Sequence, residues 1–462
     1  MSDSSAKSSG FDRRAGGARD CGRALGLKRA LVAFLVFAPL GFAAELDDAT
    51  KAMALAAEAA TAAEAKDFPV YLEKIEAAVA LRPDFPQLLT NLAAAQVANE
   101  RLDDALATLE RLAALGMTAS FDKAEEFAAL RGRKEFDAVV RKFANNAHPI
   151  GRGEMAFSLR DVTGLIEGMA WRQKTGEFFF SDVHERAVWR RNKDNTLRRF
   201  TPEGDELLGV FGLAVDEGNG VLWAATAAVP VMRGHTAEQA GTAALAEIDL
   251  ETGAVRRTIA VAAGSGDQQP HLFGDVAVGT DGSVFVSDSV GGAIWRLAAG
   301  ADKLDVFAQG SGFISPQGVV TLPDGGGLIV ADRVNGFLRV EVPGGNVARL
   351  ESPAGTTLIG IDGLALAAGG DLIAIQNSTS PKRVVRITLE SGGAGVTSVT
   401  VLESGHLTMS APSLGCIAQD GDFYFVGNAG WSRFDESDAK PTAPRPVPIF
   451  KTKIALPAAV KR

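Results

Sequence analysis

The sequence predicts a multidomain α and β protein, in which an N-terminal α-helical repeat domain precedes an all-β six-bladed propeller. Residues 45–146 are rich in Ala, contain almost no Gly, and place apolar residues three and four positions apart, as helices do. From His148 onward Gly is frequent, and alternating apolar runs recur between DG, GG and TG turns. The predicted domains are a signal peptide at 1–43, a helical domain at 44–147, the propeller at 148–440 and a C-terminal tail at 441–462.

The first 43 residues have the pattern of a secretory signal peptide. Seven Lys or Arg residues and three Asp residues precede an apolar run from Ala30 to Ala44, and small residues at Gly41 and Ala43 suit cleavage before Ala44. Pro39 interrupts this run, which is shorter than the about 20 apolar residues that a membrane anchor needs. We therefore expect a periplasmic or secreted protein whose mature chain has no membrane span.

Charge and cysteine content exclude some classes of partner. The whole chain carries a net charge of −9 and its first 43 residues carry +4, so removal of that segment leaves −13. An acidic chain without a basic stripe does not attract nucleic acid or an anionic membrane. The cysteines are Cys21 and Cys416, and Cys21 leaves with the signal segment. We expect no internal disulfide in the mature chain, as the periplasm allows.

The helical region has a spacing that resembles tetratricopeptide repeats. If Pro86 begins a unit of about 34 residues, the packing positions of the repeat hold small or apolar residues with one Gln. These are Leu89, Leu92, Ala93, Gln96, Ala105, Leu109 and Leu112. The preceding unit would supply Tyr71, Ile75, Ala78 and the terminal Pro83. A plain helical bundle is the alternative.

Six strand-rich units follow, and we align their starts at Glu167, Phe211, Asp275, Gln317, Asp362 and Leu414. The intervals are 44 residues from Glu167 to Phe211, 42 from Asp275 to Gln317, and 45 from Gln317 to Asp362. This is the period of a four-stranded propeller blade, whereas the alternative, a β-sandwich, does not require such a repeat. The longer interval, 64 residues from Phe211 to Asp275, contains MRGHTAEQAGTAALAEIDLETG, which we interpret as an insertion between blade strands.

Equivalent residues at the starts of the inner strands of a propeller converge at one mouth of its central channel. Glu167, Asp275, Gln317 and Asp362 would bring four oxygen-bearing side chains to that mouth, and such oxygens are the ligands of hard divalent cations. Phe211 and Leu414 would form an apolar wall. The alternative for each acid is structural, because an acidic side chain beside Gly can cap a turn.

The motifs also resemble the regucalcin/gluconolactonase family of six-bladed propellers, the senescence marker protein type. The resemblance rests on EGMAW with FFFSD, SPQG with LPDGGGLIVAD, and IDGLA with GGDLIAI, and it extends from about Glu154 to Trp431. It implies that Glu167, Gln317 and Asp362 hold a divalent metal, with Asp362 also the base for lactone hydrolysis. It further implies that Asp275 contacts substrate, and a likeness to paraoxonase-like propellers suggests the same for His271, for which a solvent-exposed loop position is the alternative.

Two positions depart from the family pattern. Gln317 stands where the family has Asn, and its extra methylene displaces the ligand oxygen, which calcium tolerates better than a metal that requires strict octahedral geometry. Calcium is therefore the expected metal. Gly274 stands where the family often has a substrate-contacting Asn, so gluconolactone itself is not supported as the substrate.

Two classes of function agree with these residues. In the first, the protein is an exported metal-dependent lactonase or esterase-like hydrolase, in which the cation polarises a carbonyl and Asp362 accepts a proton from bound water. In the second, it is a non-catalytic scaffold whose propeller and helical repeats bind partners. A third alternative is a metal that stabilises the channel without taking part in catalysis. The expected partners are a small lactone or ester and, through the helical repeats, a protein.

Overall fold

Helices form the first part of the chain in the computed structural model, which describes residues 47–204, 206–261, 269–310, 312–434 and 443–454. The predicted signal peptide lies outside these residues. The helices are α1 (Asp48–Glu64), α2 (Phe68–Leu81), α3 (Pro86–Ala98), α4 (Leu102–Ala114) and α5 (Lys134–Asn146). Among the described residues, none of the helices has the length and apolarity to cross a membrane.

Capping residues explain where these helices begin. The side chains of Asp47 and Asp67 accept backbone N–H groups of the first turns of α1 and α2, and Pro86 occupies the start of α3, where its missing N–H costs nothing. All seven residues assigned to packing positions of the second repeat unit are buried. This burial agrees with a helical repeat and equally with a bundle, so the tetratricopeptide assignment stays a prediction.

The remainder of the chain is the predicted six-bladed propeller, with six separate sheets of four antiparallel strands. From the channel outward, the first five blades are β2 to β5 (Ile166–Arg172, Glu177–Asp182, Ala187–Arg191, Leu197–Arg199), β6 to β9 (Gly209–Asp216, Val221–Ala227, Ala243–Asp249, Val255–Val261), β10 to β13 (Phe273–Val278, Val284–Asp288, Ala293–Leu297, Asp305–Gln309), β14 to β17 (Pro316–Thr321, Gly327–Asp332, Gly336–Glu341, Val347–Leu350) and β18 to β21 (Ile361–Leu366, Leu372–Gln376, Arg383–Leu389, Val396–Ser404). The predicted insertion overlaps β8, and the added length precedes that strand as the loop at residues 228–242.

The sixth blade joins the two ends of the propeller. It contains β22 (Gly415–Ile417), β23 (Phe423–Val426), β24 (Arg445–Thr452) and, outermost, β1 (Met155–Val162). The range 441–462, described above as a tail, therefore supplies a strand that pairs on both sides, and its residues Val447, Ile449 and Phe450 are buried. Pairing of the first strand with the last closes the ring without a free inner edge.

A bulge recurs at the same place in five of the inner strands. In each, two residues lie opposite one residue of the second strand, as between Ile166 and Met169 in β2. In four of the five bulges the second residue is Gly, at Gly168, Gly212, Gly318 and Gly363. A Cβ at Gly318 would lie 2.5 Å from the backbone oxygen of Asp362 on the next inner strand. Gly is required here because neighbouring blades meet backbone to backbone.

The third blade does not have Gly as the second residue of its bulge, and its strand register shows that the sequence alignment was wrong by one residue there. Its bulge contains Gly274 and then Asp275, so Gly274 takes the place that Glu167 has in the first blade. Asp275 takes the place of Gly168, and both donate their backbone N–H to a Ser hydroxyl of the second strand. Asp275 therefore lies one position further along its strand than Glu167, Gln317 and Asp362 do.

Leu414 is shifted in the same way. A Cβ on Gly363 would meet the Cα of Leu414, just as one on Gly212 would meet the Cα of Asp275. The residue of the sixth blade at the level of Glu167 is therefore Ser413. The alignment went wrong in the third blade because Gly precedes the acid there, and in the sixth because Gly415 comes one position late, after Leu414.

Candidate functional site

A pair of acids lies at the channel mouth. Glu167, near the start of β2, is 9% exposed and accepts a hydrogen bond from Trp431 Nε1 at 2.6 Å. Burial and, to a smaller extent, the negative charge of Asp362 raise the pKa of Glu167 to about 7. Glu167 therefore retains a proton in part of the population near neutral pH.

Asp362, near the start of β18, has a different environment. Its Oδ1 lies 3.2 Å from a guanidinium nitrogen of Arg333, and its Oδ2 accepts a hydrogen bond from Asn377 Nδ2 at 2.5 Å. Asn377 is itself fixed by a second hydrogen bond, to the backbone oxygen of Pro412 at 3.0 Å. A cation and an amide thus hold the Asp362 carboxylate in one orientation.

Arg333 connects two of the predicted metal ligands. It follows directly after β15, and its guanidinium donates to Gln317 Oε1 at 3.2 Å as well as contacting Asp362. The amide nitrogen of Gln317 donates to Ser315 Oγ at 2.8 Å, which fixes the orientation of the side chain. The oxygens of Gln317 and Asp362 therefore face an arginine of the protein itself.

This arrangement does not fit the predicted metal cage. Gln317 and Asp362 face the Arg333 guanidinium, and Glu167 faces the indole N–H of Trp431. Within the described part of the chain, no group of three or more His, Cys, Asp or Glu residues is placed to hold a metal ion. The calcium site stays a prediction that requires Arg333 to move, and a rise in melting temperature with added calcium would test it.

An aromatic wall flanks Glu167. The rings of Phe211 and Trp431 are stacked, with centroids 6.3 Å apart and planes at 29°. Trp431 is 39% exposed and follows Gly430, whose φ of 90° places this loop in the left-handed region. Phe211 thus forms part of an apolar wall, as predicted, and its partner Trp431 comes from the connection between β23 and β24.

Below the mouth the channel contains a cavity of about 350 Å³. All six inner strands line it, mostly with apolar side chains that include Leu213, Leu364 and Cys416, and Asp275 is the one charged residue among the described lining residues. Asp275 Oδ2 accepts the backbone N–H of Val319 at 3.2 Å. Burial raises the pKa of Asp275 to about 7, with a smaller effect of the charge on Asp362.

His271 is buried instead of facing the mouth. Its Nδ1 lies 2.6 Å from Asp288 Oδ2, which also accepts a hydrogen bond from Trp295 Nε1, and its side chain is 1% exposed. Asp288 ends the second strand of its blade, as Asp182 and Asp332 end the second strands of theirs. Asp182 and Asp332 each accept a backbone N–H group from the connection that leads into the inner strand of the same blade. These contacts account for His271 structurally, and its predicted contact with substrate would require the ring to be uncovered.

Sequence reasoning missed Arg333, Asn377 and Trp431. All three follow the second strand of a blade, whereas the search considered only the starts of the inner strands. A signal was present for two of them, because Arg333 follows the strand-ending Asp332 and Asn377 follows the equivalent Gln376. The second strand ends at the same mouth where the inner strand begins, so polar residues just after it reach the site.

No family model matches the chain, and no curated protein matches it. Among solved structures, a gluconolactonase from Xanthomonas campestris is 16% identical, covering 65% of this chain and 94% of that one with a TM-score of 0.43. A luciferin-regenerating enzyme is 15% identical, covering 65% and 94% with a TM-score of 0.45. A virginiamycin B lyase from Staphylococcus aureus is 14% identical, covering 58% and 94% with a TM-score of 0.39. The chain is thus distantly similar to propeller enzymes of several activities.

Proposed function

We propose that the channel mouth hydrolyses a small ester or lactone. The observation that carries this proposal is the contrast between two neighbouring acids. Asp362 lies against the Arg333 guanidinium, while burial raises the pKa of Glu167 to about 7. Neighbouring acids in unequal environments can divide the work of a base and an acid at neutral pH.

In the proposed reaction Asp362 is the base and Glu167 is the acid. Asp362 takes a proton from a water molecule, whose oxygen forms a bond to the carbonyl carbon of the substrate. The N–H groups of Arg333, whose side chain is 37% exposed, stabilise the negative charge that develops on the carbonyl oxygen. Glu167 gives its proton to the leaving alkoxide as the carbon–oxygen bond breaks. Proton exchange with solvent then restores both acids.

The surroundings favour a small and partly apolar substrate. The exposed face of Trp431, backed by Phe211, offers a flat contact for a lactone ring or an aryl ester. Asn377 holds the carboxylate of Asp362, so the base does not depend on the substrate for its orientation. No step of this mechanism passes through a metal ion, because Arg333 supplies the positive charge.

The test is a screen of lactones and aryl esters with the wild-type chain and with Asp362→Asn. Loss of a general base lowers turnover by about 10²–10⁴-fold, so we expect a loss of this size in kcat. Asp371→Asn is the matched control, because Asp371 is also a largely buried acid of the same blade, paired with Arg386 away from the mouth. Melting temperatures of both variants would show whether the fold survives.

The alternative is a binding protein without turnover. It would leave every ester and lactone intact in the wild-type chain, yet a ligand would still change the fluorescence of the exposed Trp431. That result would reject hydrolysis. Equal rates in the wild type and in a folded Asp362→Asn chain would reject the role given to Asp362.

A further inference from the structure

The helical region contacts the turn that carries Arg333. Arg82, at the C-terminal end of α2, is fully buried and donates to both Oδ1 and the backbone oxygen of Asn335, at 2.9 and 3.2 Å. Asn335 lies two residues after Arg333, between β15 and β16. Its amide nitrogen donates to Asp47 Oδ2 at 3.0 Å, at the start of α1. Two helix ends therefore fix one turn of the fourth blade.

The same region contacts the turn that carries Asn377. Arg383, which is 6% exposed, donates to the backbone oxygen of Leu115 at 2.9 Å, at the C-terminal end of α4. It also donates twice to Gln376 Oε1, at 3.0 and 2.6 Å, and Gln376 directly precedes Asn377. A second contact lies nearby, because the N–H of Thr118 donates to the backbone oxygen of Ser380 at 2.7 Å.

Electrostatics favour these contacts. The C-terminal end of a helix carries partial negative charge on its unpaired carbonyl groups, which a cation such as Arg383 stabilises. Burial lowers the pKa of Arg383 to about 10, so the side chain remains charged at neutral pH. Buried charged groups tolerate only arrangements in which their hydrogen bonds are made, so the two turns have few alternative positions.

Among the described residues, these contacts are made with the turns of the fourth and fifth blades. In the first and third blades the corresponding turns are held within the propeller, where Asp182 and Asp288 accept the N–H groups of Glu185 and Gly291. In the fourth blade Asp332 accepts the N–H of Asn335 in the same way, and the helices add a second support to that turn. In the fifth blade Gln376 replaces such an Asp, and Arg383 completes its hydrogen bonding. The two turns that touch the helices are also the two whose residues hold Asp362.

We propose that the helical region positions Arg333 and Asn377 at the channel mouth, with Arg82 and Arg383 as positioning residues. The helices are then part of the architecture of the site, in addition to any role in binding a partner. Displacement of a catalytic group by about 1 Å can cost about 100-fold in rate, so loss of this support would be felt at Asp362. That catalytic consequence rests on the proposed function, whereas the positioning itself does not.

The experiment measures hydrogen exchange by mass spectrometry in the full chain. Arg383→Met removes the guanidinium but keeps an unbranched side chain, and we expect amides at 376–380 to exchange about tenfold faster or more. Arg82→Met should have the same effect at 333–336. Exchange in the turns at 183–186 and 289–292 should stay as in the wild type. Arg386→Met is the matched control, because Arg386 lies on the same strand but bonds to Asp371 and Ile454.

Unchanged exchange at both turns in folded variants would overturn the proposal. If either Met variant fails to fold, Asp47→Ala removes a helix-side partner of Asn335 and leaves the bond from Asn335 to the backbone oxygen of Gly312 inside the propeller, so exchange at 333–336 should still speed up. Activity provides a separate readout when the wild type hydrolyses an ester. Arg383→Met should then lower kcat about 10- to 100-fold, Arg383→Lys should restore part of the loss, and Arg386→Met should match the wild type. A wild type without esterase activity would reject the proposed function and leave the exchange result to decide the positioning.

Discussion

At the scale of single residues, Glu167 makes the stability of the fold depend on pH. Its pKa is about 7 in the folded chain, against an ordinary value of 4.5, mainly because of burial. Between these values the folded state binds more protons than the unfolded state does. The free energy of unfolding therefore falls as pH rises through this window, since ionisation is easier in the unfolded chain.

Replacement of Glu167 by Gln should remove this loss. The amide cannot ionise, and its oxygen can still accept the hydrogen bond from Trp431. We expect the difference in unfolding free energy, variant minus wild type, to rise by roughly 1–3 kcal/mol between about pH 4.5 and pH 8. Urea unfolding at both pH values measures it. Asp182 and Asp275, whose pKa values are also raised, are present in both chains, so their contributions cancel. A difference that does not change with pH would contradict the burial of a charge at this position.

At the scale of elements, the glycines of the inner-strand bulges set how closely the blades approach. Gly318→Ala would place a Cβ 2.5 Å from the backbone oxygen of Asp362, which cannot move without its strand. Gly274→Ala is the matched control, because its nearest neighbour is Ser287 Oγ at 3.7 Å. Overpacking of this kind costs about 1–3 kcal/mol, so the urea midpoint should fall for Gly318→Ala and stay close to wild type for Gly274→Ala. Equal urea midpoints would mean that neighbouring inner strands can move apart to accept the added Cβ without loss of stability.

These elements also explain what the sequence could predict. The pattern of a side chain followed by Gly marks the inner strand of four blades, so the sequence shows that Glu167, Gln317 and Asp362 take equivalent places in their strands. Asp275 was placed with them, because an acid beside Gly looks the same in either order, and only strand register separates the two orders. Arg333 contacts Asp362 from the neighbouring blade, a pairing that depends on how blades pack and is not visible within one repeat.

The C-terminal strand shows a second limit of sequence reasoning. Residues 445–452 follow the last complete repeat and contain two Pro residues, which argue against a strand with neighbours on both sides. In the structure β24 lies between β23 and β1, and it completes the sixth blade. The repeat period fixes how many blades there are, but which end of the chain closes the ring depends on a pairing between residues almost 300 positions apart, such as Leu159 with Val447.

At the scale of the whole molecule, the helical region and the propeller should unfold together. Their contacts bury Arg82 and Arg383, and in a chain with only one part folded these groups would lose partners. All five Trp residues lie in the propeller, so Trp fluorescence reports on it, whereas circular dichroism near 222 nm reports mainly on α1 to α5. We expect coincident urea midpoints from the two signals in the wild type.

Arg383→Met should separate the two midpoints. The helices would lose a buried charged hydrogen bond at the end of α4, so the circular dichroism transition should move to lower urea than the fluorescence transition. Arg386→Met should shift both transitions together, because its partners Asp371 and Ile454 both belong to the propeller part of the chain. If the two transitions are already separate in the wild type, the buried contacts do not couple the two parts of the chain. The helices could then unfold while the propeller stays folded. If the two midpoints coincide in the wild type and separate in Arg383→Met, then the helices, the two turns and the acids that they surround unfold as one cooperative unit.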